Sequence, residues 1–124
     1  SAGAAAGEAG VSFWKSGMLT YVDEGTSEEM NRAMELTIER LALTVHETKD
    51  RVDDDDDQVG RWWSIRSDRG HLVTIEVRPL TVAMVEVKIN AGAFGNRAAA
   101  ELIADRLKAE LDALQMPADE AASD

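Results

Sequence analysis

The chain has no cysteine, which removes thiolate metal sites, thiol nucleophiles and disulfide frameworks together and leaves the redox compartment open. It is also short of positive charge: 13 basic side chains face 24 acidic ones, and the formal charge is −11. With no basic stripe to offset it locally, such a chain repels a polyphosphate backbone, so nucleic acid is not an expected partner. No apolar run approaches the roughly 18–20 residues that span a bilayer, and no basic-then-apolar leader opens the sequence, so the chain as given is expected to be soluble. Catalytic signatures are missing too. No serine stands in a G-x-S-x-G elbow, and His46 and His71 fall on different segments. Both are expected to be surface histidines. No cofactor or metal site is expected, and the chain reads as non-enzymatic. The alternative, a small-ligand protein or hydrolase using His46, His71 and nearby carboxylates, needs a concave pocket with convergent polar groups.

What remains is a chain of 124 residues, enough for one domain with its own core. Residues 1–13 begin with small side chains that have little to bury and read as a Gly/Ala-rich tether. A single domain is expected over 14–116, and beyond Pro117 the acidic residues 117–124 are expected to be a disordered tail. From Gly17 to Asp23, "GMLTYVD" predicts a strand. Thr26-Ser-Glu-Glu29 matches a capping box, and Met30, Ala33, Met34, Thr37, Ile38 and Leu41 form one helical stripe after it. The period then switches to alternation, with Leu43, Val45 and Glu47 on one side and Thr44, His46 and Thr48 on the other.

The run Asp53–Asp57 repels itself and reads as a solvated connection; it lacks the glycine and glutamate spacing of a Ca²⁺ loop. Two strands follow around the turn Ser67–Gly70, Pro79 is expected to end the second, and "MVEVKIN" supplies another, with Val85, Val87 and Ile89 inward. Asn96 is a good N-cap for a last helix whose apolar side is marked by Ala99, Ile103, Leu107 and Leu114, with Leu102 and Leu111 alongside. The order strand, helix, four strands, helix predicts an α+β two-layer sandwich: an antiparallel sheet with both helices on one face.

That architecture leaves one sheet face bare. Trp62 and Trp63 are adjacent on a strand and must point to opposite faces, and Trp63 shares parity with Ile65. Trp62 is therefore expected on the open face, in the company of Ser64, Arg66, Thr74, Glu76, Arg78, Glu86 and Lys88. Of these, Trp62, Arg66, Glu76, Arg78 and Lys88 are the candidate binding residues, since an aromatic handle on a mixed polar face suits protein or sugar. The stretch "INAGAFGNR" could instead open a phosphate cradle. It has no lysine and no longer glycine pattern, so Gly92, Phe94, Gly95 and Asn96 read as a structural turn and cap.

The segments "TSEEMNRAMELTIERLALTV" and "VEVKINAGAFGNRAAAELIADRLKAEL" resemble a family of small bacterial lipoproteins grouped as domain of unknown function 3568. Its members carry a lipobox cysteine, a Gly/Ala-rich tether, an extended G-x-L start, a first helix ending L-G-L-x-V and a strand closing in a G-x-F-G-[DN] turn. Gly17 and Leu19 match the start, and Gly92, Phe94, Gly95 and Asn96 match the turn. Ala42 stands where the family has glycine, and no cysteine precedes the tether. The resemblance implies a mature chain without its leader and lipidated cysteine, located in the bacterial envelope on the periplasmic side, as an outer-membrane lipoprotein. It implies membrane attachment only through that anchor, an unidentified protein or envelope component as partner, and no known activity.

Overall fold

The computed structural model describes residues 12–52, 59–66, 71–92 and 96–116. The acidic run Asp53–Asp57, the turn Ser67–Gly70, Phe94, Gly95 and the segments 1–11 and 117–124 lie outside the described residues. Eight elements follow one another: β1 (Ser12–Lys15), β2 (Met18–Glu24), α1 (Ser27–Arg40), β3 (Thr44–Val52), β4 (Val59–Arg66), β5 (Leu72–Thr81), β6 (Met84–Asn90) and α2 (Arg97–Gln115). The strands form one antiparallel sheet in the order β1-β2-β6-β5-β4-β3. From β2 the chain crosses through α1 to the far edge, and β3 to β6 then walk back until β6 pairs with β2. This is the expected α+β sandwich with one strand more than expected.

The extra strand is β1. Its residues Ser12 and Phe13 were assigned to the tether, yet Ser12 pairs with Tyr21 and Lys15 with Met18. The two-residue loop between them, Ser16-Gly17, has φ of 54° and 81°. Positive φ at both central positions is what a tight hairpin with right-twisting strands requires. Trp14 turns inward and packs against the core, while Phe13 is 70% exposed on the other face.

Helix α1 begins where the capping box predicts. The Glu29 backbone N–H donates to Thr26 Oγ1 at 3.1 Å, and the Thr26 N–H donates to Glu29 Oε1 at 2.9 Å. Met30, Ala33, Met34 and Thr37 are its buried stripe, and the Thr37 hydroxyl is satisfied by the Ala33 carbonyl at 2.8 Å. In α2 the buried set is Ala100, Ile103, Ala104, Leu107, Glu110 and Leu111. The expected stripe was rotated too far: Leu102 and Leu114 are exposed, because a strip of alanines lets the helix sit closer along positions 100 and 104. Both stripes press on Leu19, Tyr21, Trp63, Ile65, Ile75, Val77, Val85, Val87 and Ile89. Each fully buried aliphatic side chain contributes roughly 1.5–3 kcal/mol. The helices are also joined by charge. Buried Glu110 takes Arg40 of α1 at 3.3 Å and Arg106 at 3.1 Å, both through Oε2.

Two strand details differ from expectation. A register shift between Val45 and Glu47 puts Val45 opposite Ile65 and Thr48 opposite Trp63, so these two face the helix side while Glu47 and Lys49 face the open side. The bulge moves every later side chain of β3 to the face opposite that given by simple alternation. Pro79 does not end β5, which runs to Thr81 with an irregularity after Pro79. The β4–β5 ladder ends at Arg61–Val77, short of Pro79, so the proline interrupts no bond of that ladder.

The exit of α1 carries measurable strain. Leu43 N–H donates to Ile38 O at 2.9 Å and Ala42 N–H to Glu39 O at 3.2 Å, a Schellman closure with Ile38 and Leu43 both packed against the core. Its left-handed position is Ala42, at φ 51°. An alanine there costs about 1 kcal/mol that glycine does not. Ala42→Gly is therefore expected to raise stability by about 0.5–1 kcal/mol in denaturant unfolding, although glycine lowers it at most other sites. A loss would show that the closure is not strained.

Candidate functional site

The open face is ordered by cross-strand pairing. One row runs over all six strands: Lys49, Trp62, Glu76, Lys88, Thr20 and Phe13. Beside it, Arg78 pairs with Glu86 and Glu86 with Val22. On the other side, Ser64 pairs with Glu47 and Thr74, and Arg66 lies further along β4, opposite Thr44 and Leu72. The five candidate binding residues thus share one face, although Arg66 stands at its end. Ser64, expected among the accessible polar groups, is buried beneath its neighbours.

Ion pairs tie the strands together here. Arg51 Nε meets Glu76 Oε2 at 3.3 Å, Arg78 Nη2 meets Glu86 Oε1 at 3.5 Å, and Lys88 Nζ approaches the same oxygen at 3.8 Å. Trp62 is half-buried, and Lys49 Nζ lies 4.7 Å from its ring centroid. That contact is a cation–π interaction, worth about 0.5–1 kcal/mol at an exposed site. The cover of Trp62 is Lys49, and Phe13, in the same row, lies four strands away. Lys49 and Arg51 escape the sequence pattern for two reasons: the alternation is followed only to Thr48, and the bulge at His46 reverses the parity counted from Leu43; "ETKDRV" shows that Glu47, Lys49 and Arg51 share a face but not which one.

Trp63 is the inward member of the pair, 4% exposed, with Arg61 above its ring at 5.8 Å. Beside it, a depression of about 360 Å³ is lined by Asn31, Glu35, Val45, Thr48, Arg61 and Trp63. Its charged groups are already engaged, Arg61 with Asp50 at 2.9 Å and Glu35 with Arg32 at 3.3 Å. His46 sits in the β3 bulge and His71 just before β5, two strand spacings apart and displaced from each other along the strands. Among the described residues no group of three or more His, Asp or Glu could hold a metal ion.

The turn before α2 is built from its flanks. Gly92 has φ 84° and donates its N–H to Asn90 Oδ1 at 2.8 Å. No atom lies within 4 Å of where its Cβ would be, so the positive φ and not crowding requires glycine. Asn96 caps α2, accepting from Ala98 N–H at 2.9 Å. One of the helix's free donors, which a phosphate would use, is thereby taken.

Two titratable groups lie under α2. Burial, and then Asp23 and Asp105, push the Tyr21 phenol far above its ordinary range. Its ring carries Lys108 Nζ at 4.5 Å. The Asp23 carboxyl is also raised, by burial first and by Asp112, against the lowering effect of the Glu24 backbone N–H and Lys108.

No family model matches this chain, and no curated protein matches it. Among the described residues no helix is long and apolar enough to cross a membrane.

Two predictions follow from the site. Trp63→Ala is expected to destabilise by about 3–5 kcal/mol through lost burial and a cavity, and Trp62→Ala by about 1 kcal/mol or less, as read by denaturant unfolding. Comparable losses at both positions would contradict the assignment of faces. For Asp23, a carboxyl raised by folding holds its proton more tightly in the native state, so its contribution is complete below the ordinary aspartate range and is lost as pH rises through the folded value. Asp23→Asn, which keeps the acceptor for Glu24 N–H, should melt above the parent at pH 7. The gap should close below about pH 4. A gap that persists in acid would show that desolvation is not the cause.

Proposed function

We propose that the domain is a non-catalytic interaction module of the bacterial envelope whose partner docks on the open sheet face. The observation that carries this reading is the row from Lys49 to Phe13 across six strands, with an aromatic ring in it and both helices on the opposite side. A two-layer fold buries one sheet face for stability, and the second is available for binding.

The envelope part of the proposal rests on the resemblance to domain of unknown function 3568. Backbone geometry supports it at three positions. The motif has glycine where this chain has Gly17, Ala42 and Gly92, and their φ values are 81°, 51° and 84°. A family with that geometry needs glycine at each of them, and this chain tolerates alanine at one by accepting strain. On this reading a lipid anchor holds the domain at a membrane, and the domain itself meets its partner in the aqueous space.

The test replaces Trp62 with a photocrosslinking phenylalanine analogue in the full natural protein, expressed in its own cells. Irradiation is expected to give an adduct of defined mass in the membrane fraction that the same probe at Glu101, on the helix layer, does not give. Identical adducts from both positions, or none from Trp62, would overturn the docking face. Recovery of the protein from the cytosol alone would overturn the envelope assignment.

A further inference from the structure

We infer that the open face takes an acidic protein segment, an assignment that rests on the docking reading above and names the chemistry of its partner. The sequence as a whole argues for the opposite, since the net charge is −11. The arrangement of charge on this face reverses it locally. Glu76 and Glu86 have side chains 28% and 19% exposed, whereas Arg51, Arg78 and Lys88 are 51%, 50% and 40% exposed. The carboxylates lie on the floor of the face, held by the cations, and the cations stand above them. With Lys49 over Trp62, the central patch carries four positive groups against two recessed negative ones, and further along β3 and β4 exposed Glu47 and Arg66 add one charge of each sign. Charges on the helix layer are screened beyond about 8 Å at physiological ionic strength, so at contact distance the excess on this face counts for more than the charge of the opposite layer.

The patch also has a length. Lys49 and Arg51 are on β3, Arg78 on β5 and Lys88 on β6, so the cations span three strand spacings, on the order of 14 Å. About five residues of extended chain cover that distance. Trp62 decides between kinds of polyanion. A sugar platform offers a bare ring face, and here that face is occupied by an ammonium group. A carboxylate arriving at Lys49 meets a cation already positioned over apolar surface, while neighbouring apolar side chains of a peptide can cover the edge of the indole. Those requirements suit a short acidic stretch of protein better than an acidic polysaccharide.

The experiment measures fluorescence anisotropy of a labelled ten-residue Glu-rich peptide with the whole chain at low and moderate salt. The parent is expected to bind it, more weakly as salt rises, and not to bind the same peptide with Gln in place of Glu. Arg51→Gln/Arg78→Gln/Lys88→Gln should weaken binding at least tenfold, while Arg32→Gln/Arg97→Gln on the helix layer should leave it unchanged. If the triple variant does not melt cooperatively, Arg51→Gln and Arg78→Gln singly carry the comparison, each with a two- to threefold loss. Absence of binding by the parent, equal binding by the sheet variants, or polygalacturonate binding as tightly to the same residues would each overturn the inference. The docking reading fails separately. An adduct from Trp62 in cells without any affinity for the acidic peptide keeps the face and removes this partner chemistry.

Discussion

Two helices can cover only so much sheet. Packed side by side at about 10 Å each they span roughly 20 Å, whereas six strands at about 4.8 Å spacing are wider than that. The helices therefore settle over the middle, where β2, β6 and β5 carry Leu19, Tyr21, Val85, Val87, Ile89, Ile75 and Val77. The last strand, β3, is left overhanging, and every residue from Thr44 to Arg51 is exposed. The other features follow from that mismatch of widths. Trp63 lies at the margin of the covered zone, closed off by Arg61 where a helix would otherwise be, and the shallow depression next to it is the step at the helix edge.

The open face depends on the same core from the other side. Strand pairing that positions Ile75, Val87 and Leu19 inward necessarily lines up Glu76, Lys88 and Thr20 outward. The row that includes Trp62 is thus fixed by burial of its sequence neighbours and needs no interaction of its own to be held in register. Ion pairs such as Arg78–Glu86 add little stability at the surface. Their structural effect is to set the height of each charge above the sheet.

Much of this was legible in the sequence wherever a local rule and the global fold agree. The Thr26–Glu29 box, the Met30–Thr37 stripe and the Val85–Val87–Ile89 alternation each require only a few neighbouring residues to interpret. The Trp62/Trp63 opposition was legible because strand parity permits no other arrangement. What escaped depends on a partner distant in sequence or on one extra residue. β1 is four residues long, and its signal is the Ser16-Gly17 pair between Lys15 and Met18, which is weak without β2 beside it. A bulge leaves no mark in composition, so Glu47, Lys49 and Arg51 could not be assigned to the open face by counting from Leu43. The stripe of α2 was misjudged because leucines were weighted over alanines, and Ala100 and Ala104 are the residues that permit close approach.

The overhanging β3 presents a row of backbone donors and acceptors nine residues long on its side away from β4. Such an edge is a template for a strand from another molecule, which is the first step of aggregation. Here Glu47, Lys49, Asp50 and Arg51 place charge on both of its faces, and the bulge at its start breaks the flat run. An added strand would have to bring charges against these and follow a bent edge. At the opposite border β1 offers only four residues. Crowding many copies together therefore does not favour sheet-to-sheet growth.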